Sequence, residues 1–318
     1  MRLPLILAVV VVASGLLTSG MSQEVKPRQQ AKDASPAEPG ADAKREKKEV
    51  PPGKEFVYKK SGGKDQKLEV YFPAGWEPKG KKVPGVLLFH GGGWGGGNLE
   101  QFRYACRYFA SRGLVAATAN YRMLNNEERA ALPAGESFKR VCVTDGRSAI
   151  RWMKQHAEEL GVDPQRIITG GGSAGGHISI LASLNAGLDD PADAKEFDTK
   201  VVAYILFNPA LGKDAVPDSQ VDALGHLKAD MAPALFLFGS LDGWKPASDA
   251  ARTRLKELGN PTSQLWIAEG QNHGFFNRPP WQDVTIAQAD RFLVEIGLLG
   301  GSGTLSAPPG GEAMKRQD

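Results

Sequence analysis

The chain of 318 residues is 41% hydrophobic, which is enough to form one substantial buried core, so we expect a single large domain flanked by tails. Its formal net charge of +3 arises within residues 26–54, where eight basic residues stand against five acidic ones, so the remainder is close to neutral. Because nucleic-acid binding needs clustered positive charge on a folded surface, this distribution argues against a nucleic-acid partner.

The N-terminal residues are typical of a secretory signal peptide. Arg2 precedes an apolar run over residues 3–17, and small residues follow, so we assign residues 1–22 to the signal. The run is shorter than the roughly 20 apolar residues of a membrane-spanning helix, which argues against the alternative of an uncleaved anchor. We therefore expect an exported protein, periplasmic or secreted, with no stable membrane insertion after signal cleavage.

Two further segments have the composition of flexible chain. Residues 23–54 are rich in Lys, Glu, Ala, Pro and Gln and nearly lack aromatic and β-branched residues, so they cannot bury enough apolar surface to become ordered. The tail at residues 300–318 is rich in Gly, Ser and Pro and is predicted to be disordered. The folded domain is then expected over residues 55–299.

Between these segments, short apolar runs alternate with longer helical patterns. This alternation predicts an α/β fold with a mostly parallel, eight-stranded sheet and helices on both faces. The predicted strands cover residues 55–58, 68–72, 85–89, 114–119, 166–169, 201–207, 234–238 and 264–268. The predicted helices cover residues 102–111, 142–160, 174–185, 246–258 and 281–296.

A run of glycines follows the third predicted strand. Consecutive glycines allow backbone N–H groups to converge on one point, as a tetrahedral oxyanion requires. We expect the N–H groups of Gly92 and Gly93 to act in this way, and a plain glycine-rich loop is the alternative. The motif consists of His90, Gly91, Gly92, Gly93 and Trp94.

Residues 171–175 match the pattern G-x-S-x-G, with Ser173 between Gly171 and Gly175. The segment follows a predicted strand and opens a predicted helix, which is the setting of a nucleophilic serine on a sharp, strained turn. The N–H of Ala174 is expected to complete the oxyanion hole. A phosphate-binding loop at the helix N-terminus is an alternative, but the Gly-Lys-Ser or Gly-Lys-Thr of a Walker loop does not occur.

A serine at neutral pH needs an adjacent base, and the chain has five histidines. Four lie in glycine motifs, a helical pattern or a polar loop, whereas His273 follows the last predicted strand in a loop that can reach Ser173. Ten aspartates lie between these two residues, and only Asp242 comes directly after a buried strand and before a helix. We assign Asp242 as the carboxylate that fixes the histidine tautomer. A surface-loop histidine and a helix-capping carboxylate are the alternatives.

The two cysteines, Cys106 and Cys142, are too few and too far apart for a zinc site or a disulfide scaffold. In an exported protein they could form one disulfide, and two buried free thiols are the alternative.

With these motifs, residues 55–299 resemble the α/β-hydrolase superfamily, and most closely bacterial esterases of the hormone-sensitive-lipase and acetyl-esterase type. The chain order Ser, Asp, His is that of α/β hydrolases. The resemblance implies a serine esterase that works without a metal or organic cofactor. It rests on the motifs at residues 90–94, 120–122, 171–176 and 273–276.

Two positions depart from the lipase-like members, which usually carry Asp before the nucleophile and Asp-Tyr-Arg after the fourth strand. This chain has Gly172 and Asn120 there. Those relatives often carry a helical cap before the first strand, where this chain has its low-complexity segment, so we expect no large cap and an open site. The resemblance to secreted acetyl xylan esterase-like proteins then implies a small-molecule ester or an acetylated polysaccharide as substrate.

Three aromatic residues, Trp94, Tyr121 and Phe275, are candidates for the wall of an acyl pocket, with core packing as the alternative. Two other functions are compatible with the motifs. One is a serine peptidase of the prolyl-oligopeptidase type, which normally carries an accessory domain of which the sequence shows no sign. The other is a binding protein that kept the fold and lost the chemistry. The alcohol moiety, the acyl-length limit and the oligomeric state are not indicated by the sequence.

Overall fold

The computed structural model describes residues 50–61, 63–212, 217–260 and 262–317. The predicted signal peptide, residues 1–22, and the predicted flexible segment up to residue 49 lie outside the described residues. Both therefore stay predictions.

The strands form one sheet in the order β1-β2-β4-β3-β5-β6-β7-β8-β9. From β4 to β8 every neighbouring pair is parallel, whereas β1, β2 and β9 join the sheet antiparallel. The predicted α/β architecture with a mostly parallel sheet is confirmed. The strands are β1 (Lys54–Ser61), β2 (Lys64–Tyr71), β3 (Val83–Phe89), β4 (Val115–Ala119), β5 (Val162–Gly172), β6 (Ala203–Phe207), β7 (Ala234–Gly239), β8 (Gln264–Ala268) and β9 (Lys315–Gln317).

Helices connect the parallel strands and cover both faces of the sheet. Where the sequence predicts one helix over residues 142–160, the structure has two, because the chain leaves the helical conformation at His156. The helices are α1 (Glu100–Ser111), α2 (Asn126–Ala130), α3 (Lys139–Gln155), α4 (Ala157–Leu160), α5 (Ala174–Leu184), α6 (Lys245–Glu257) and α7 (Trp281–Glu295). Short 3-10 turns cover Ser219–Val221 and Phe275–Asn277.

The core lies on both faces of the central strands, because successive residues of a strand point to opposite faces. In β3, Val86 and Leu88 pack into one apolar cluster with residues of α1 and α7, while Leu87 and Phe89 pack into another with residues of α3 and α5. Every residue of β4, β6 and β7 is buried. Burial on both faces explains why these strands are mostly apolar and lack the alternation of apolar and polar residues.

The C-terminal residues differ from the prediction. Lys315–Gln317 form β9, which pairs with β8 from Ile267 opposite Lys315 to Leu265 opposite Gln317. The three residues of β9 are exposed, so main-chain pairing at the sheet edge holds the strand and no apolar pattern marks it. The prediction of disorder over residues 300–318 is therefore wrong for these residues, and the described sheet has nine strands where eight are predicted.

The two cysteines lie on opposite faces of the sheet. Cys106 of α1 belongs to one apolar cluster and Cys142 of α3 to the other, and both are buried free thiols. Of the two alternatives, the structure therefore shows free thiols.

Among the described residues, no helix combines the length and apolarity needed to cross a membrane.

Candidate active site

The turn between β5 and α5 carries Ser173 at the carboxyl end of the central strands. The serine backbone has φ 51° and ψ −115°, a left-handed conformation that a non-glycine residue rarely adopts. The turn also brings the backbone close to β3, since a Cβ at Gly175 would lie 2.0 Å from the carbonyl oxygen of Phe89. The glycine after the nucleophile is thus required by this close approach.

Ser173, His273 and Asp242 form one hydrogen-bonded chain, although a hundred residues separate the serine from the histidine. The Ser173 hydroxyl lies 2.9 Å from Nε2 of His273. Nδ1 of the same ring lies 2.9 and 3.0 Å from the two carboxylate oxygens of Asp242. Because a carboxylate can only accept, Nδ1 carries the proton and Nε2 is free to accept the serine proton.

The side chains of Asp242 and His273 differ in burial. The Asp242 side chain is fully buried, whereas 38% of the His273 side chain is exposed. The carboxylate is also fixed by the backbone N–H of Trp244, which donates to Oδ1 at 2.8 Å. The loops that carry the two residues are joined by a hydrogen bond from the Leu241 N–H to the Gln271 carbonyl, 3.0 Å long. The acid is therefore rigidly held, while the base faces solvent and substrate.

The glycine loop after β3 lies beside the nucleophile. Gly92 has φ 116°, and a Cβ there would lie 2.3 Å from the Gly96 carbonyl oxygen, so only glycine fits. Within the part of the chain that the structure describes, the N–H groups of Gly92 and Gly93 donate to no protein acceptor. Ala174 is the first residue of α5, and its N–H has no acceptor within the helix. These three predicted donors are thus available to a bound group.

His90 and Tyr121 support this loop from beneath. The buried His90 ring stacks on Tyr121 at 4.4 Å between centroids, and its Nδ1 donates to the Gly91 carbonyl at 2.8 Å. The Tyr121 hydroxyl donates to the His90 carbonyl at 3.0 Å. Burial lowers the pKa of His90, which favours the neutral ring. His90 therefore acts as a neutral brace for the glycine loop.

His177 is a second neutral histidine that supports a neighbouring residue of the site, here Trp94. The indole Nε1 of Trp94 donates to its Nδ1 at 3.3 Å, and its Nε2 donates to the Val221 carbonyl at 2.8 Å. Burial, aided by the nearby Lys139, lowers the pKa of His177 to about 3. A neutral imidazole therefore fixes the orientation of the Trp94 ring at neutral pH.

A cavity of about 400 Å³ opens beside Ser173. Of the three aromatic candidates, Trp94 lines it, whereas Tyr121 braces the glycine loop and Phe275 packs in the core against Trp281. The prediction for Tyr121 and Phe275 is therefore wrong, and the aromatic wall is completed by Trp244 and Phe276. The lining consists of Gly91, Gly92, Gly93, Trp94, Gln101, Ser173, Asn208, Ala210, Trp244, His273, Gly274, Phe276 and Asn277.

Several of these lining residues escape a reading of the sequence. Asn208 follows β6 directly, a position at the carboxyl end of a parallel strand that favours functional residues. Trp244 lies two residues after the predicted acid. Gln101 and Asn277 lie in a helix and a short 3-10 turn with no motif around them. Within the described residues, no group of three or more His, Cys, Asp or Glu side chains is placed to hold a metal ion.

Several known proteins with similar sequences or structures are esterases. Residues 68–210 match the family model BD-FAE. Thermogutta terrifontis esterase 2, solved without ligand and phosphorylated by paraoxon, is 36% identical, with a TM-score of 0.72 over 80% of this chain and 98% of that chain.

Curated bacterial enzymes match over shorter regions. Carboxylesterase NlhH of Mycobacterium tuberculosis is 34% identical over an alignment 119 residues long, which covers 36% of this chain and 34% of that protein. Esterase LipQ of the same organism is 27% identical over an alignment 285 residues long, which covers 78% of this chain and 65% of that protein. The chain thus spans from about a third to just under two thirds of the length of these two relatives.

Proposed function

Because the chain belongs to the esterases of the α/β-hydrolase superfamily, we propose that it hydrolyses carboxylic esters through an acyl-enzyme on Ser173. The observation that carries this proposal is the continuous hydrogen bonding from Ser173 through His273 to the buried Asp242, beside unengaged backbone N–H groups. A nucleophile, a base, an orienting acid and an oxyanion site are the parts that acyl transfer needs.

In the first half-reaction, Nε2 of His273 takes the proton of Ser173 while Oγ bonds to the ester carbonyl carbon. The carbonyl oxygen becomes an oxyanion, which the N–H groups of Gly92, Gly93 and Ala174 stabilise. Asp242 stabilises the imidazolium that forms. The imidazolium then donates its proton to the alcohol oxygen as the carbon–oxygen bond breaks, and the alcohol leaves.

In the second half-reaction, water replaces the alcohol beside His273. Nε2 takes a proton from the water as its oxygen attacks the acyl carbon, and the same N–H groups stabilise the second oxyanion. Collapse returns the proton to Ser173 Oγ and releases the carboxylic acid. The 38% exposure of the His273 side chain gives water a direct path to this base.

For the substrate we propose a short acyl group, acetyl foremost, on a bulky alcohol such as a polysaccharide. Support comes from the aromatic walls of the cavity, where the rings of Trp94 and Trp244 meet edge to face with centroids 6.5 Å apart. Thermogutta terrifontis esterase 2 has been solved with propionate and with butyrate bound. The His273 side chain is 38% exposed, which supports a site with room for a bulky alcohol next to the base.

The proposed function is tested by an activity panel on the purified full chain. Aryl esters from acetyl to octanoyl are compared with acetylated xylan and acetylated glucomannan, and a fluorophosphonate probe followed by peptide mass mapping locates the reactive serine. Fastest turnover of the acetyl to butyryl esters and a single adduct on Ser173 are expected. A fully inactive, unlabelled protein would refute ester hydrolysis, and an octanoyl preference would refute the short-acyl proposal alone.

Shortening Trp244 is expected to relax the acyl preference. In Trp244→Ala the backbone N–H that binds Asp242 is retained while the aromatic wall is lost. The ratio of kcat/KM for the octanoyl over the acetyl ester should rise at least about tenfold, since a methylene group in an apolar pocket contributes about 1–3 kcal/mol. Trp76→Ala, which removes an indole bonded to the Leu160 carbonyl away from the cavity, is the control and should leave the ratio unchanged. An unchanged ratio in Trp244→Ala would show that this ring does not limit acyl length.

We also propose export, with residues 1–22 as a cleaved signal. The apolar run behind Arg2 and the small residues that follow it support this. N-terminal sequencing of the protein recovered from the periplasm or medium of an expressing bacterium should begin near residue 23. Recovery of the intact N-terminus from the cytoplasm would contradict export.

A further inference from the structure

A chain of neutral amide side chains joins the glycine loop to the loop that carries His273. The Gly91 N–H, directly before the proposed oxyanion donors, donates to Oε1 of Gln101 at 2.5 Å. The other end of the same amide, Nε2 of Gln101, donates to Oδ1 of Asn277 at 3.1 Å. Gln101 thus links the glycine loop to Asn277, which lies 176 residues further along the chain than Gln101 itself.

The connection continues to the residue next to the base. Nδ2 of Asn277 donates to the Gly274 carbonyl at 3.0 Å, and the Gly274 N–H donates to Oδ1 of Asn208 at 3.2 Å. Both polar groups of Gly274, which follows His273, are therefore engaged. Asn208 is fully buried at the end of β6 and anchors this end of the chain of amides to the sheet.

The three amide side chains are well placed to hold the two loops of the site in position, and they carry no charge. Gln101 lies in the first turn of α1, a helix packed on the sheet, so its side chain extends from a rigid support. Gln101, Asn208 and Asn277 all line the cavity, so they lie close to the reacting groups. An amide can donate and accept at once and adds no charge. A carboxylate at the same place would oppose the developing oxyanion and favour protonated His273.

We infer that Gln101, together with Asn277, is a positioning residue that sets the separation between the oxyanion donors and the His273 imidazole. The inference rests on the proposed ester hydrolysis at Ser173. Loss of the bridge leaves the aromatic walls of the cavity in place but lets the glycine loop and the loop that carries His273 move independently. Such a change lowers the rate of the chemical step more than it weakens substrate binding.

The test uses Gln101→Met, which keeps the length of the side chain and removes both hydrogen bonds, and Asn277→Leu, which breaks the bridge at its other end. With an aryl acetate, each variant is expected to lose about 10–100-fold in kcat, the scale of a misplaced reacting group, while KM changes by less than about threefold. Because both residues act through one bridge, the double variant should be little worse than the poorer single variant.

Gln264→Met is the matched control. Gln264 also bridges two partners, since Nε2 donates to Glu295 and Oε1 accepts from the Trp266 indole, but it lies at the start of β8 outside the cavity. This variant should retain wild-type kcat and KM.

The inference is overturned if Gln101→Met and Asn277→Leu keep kcat within about twofold of the control, or if their losses multiply in the double variant as independent effects do. If Gln101→Met does not fold, Asn277→Leu alone carries the test, because it leaves the Gly91 contact intact. An inactive wild-type protein would instead refute the proposed esterase function.

Discussion

Ser173→Ala is expected to lower kcat for an aryl acetate on the order of 10⁶-fold, because removal of the nucleophile alone abolishes the cooperation of the three side chains. The residual rate comes from substrate binding and the N–H groups of the glycine loop. The backbone at Ser173 has φ 51°, a conformation that alanine also rarely adopts, so the variant should fold with much the same stability as the wild type. Initial rates at saturating substrate measure the loss.

Ser179→Ala serves as the control for this substitution. Ser179 lies on α5, the helix that Ser173 precedes; it is buried and donates to the Gly176 carbonyl at 2.8 Å without facing the cavity. It should keep wild-type kcat and should still be labelled by a fluorophosphonate at Ser173. Removal of a triad member leaves a residual activity far below a hundredth of the wild-type kcat. If Ser173→Ala retained more than about that fraction, Ser173 would not be the nucleophile.

The three side chains of the hydrogen-bonded chain could be selected from sequence because each follows a buried strand. A buried parallel strand appears as a continuous apolar run, and the residue after it lies at the carboxyl edge of the sheet. Ser173 follows β5, Asp242 lies just beyond β7, and His273 lies in the loop after β8. Three positions at the same edge can meet whatever their separation in the chain, so the apolar pattern is enough to bring them together.

The wall of the cavity could not be predicted in the same way. Phe275 and Phe276 are neighbours with the same side chain, and both pack into one apolar cluster of the core. Of the two, only Phe276 also lines the cavity, a difference set by the 3-10 turn at Phe275–Asn277. Tyr121 follows a buried strand like the residues of the triad, but its hydroxyl is taken by the His90 carbonyl. Turn geometry of this kind is not encoded in an apolar period.

Contacts that polar side chains make across long sequence separations could not be predicted from the sequence either. Gln101 and Asn277 have partners only in the folded state, and neither lies in a pattern that distinguishes it from a surface residue. The same holds for β9, whose three exposed residues pair through the main chain alone. Sequence patterning reports burial, and these features depend on hydrogen bonds whose partners burial does not specify.

Asp242→Asn is expected to lower kcat about 10⁴-fold while the fold and the position of the His273 loop stay nearly unchanged. The Trp244 N–H donates to Oδ1 of Asp242 at 2.8 Å, and a donor of this kind can be satisfied only by the oxygen of the introduced amide. The amide nitrogen must then face Nδ1 of His273. Two donors cannot share a hydrogen bond, so Nδ1 loses its proton to Nε2, which can no longer accept from Ser173.

The loss should appear in both half-reactions, since each begins with a proton taken by Nε2. Pre-steady-state measurement with an aryl acetate is expected to show slower acylation and slower deacylation, with KM little changed. Asp249→Asn, on the partly exposed face of α6 in an ion pair with Lys245, is the control and should behave as wild type.

A loss in kcat of no more than about tenfold in Asp242→Asn would be far smaller than the loss that follows when the histidine tautomer is reversed. The buried carboxylate would then not set the tautomer of the base. His273 would then be oriented mainly by the hydrogen bonds to its own loop, of which the Gly274 contacts with Asn277 and Asn208 are the nearest.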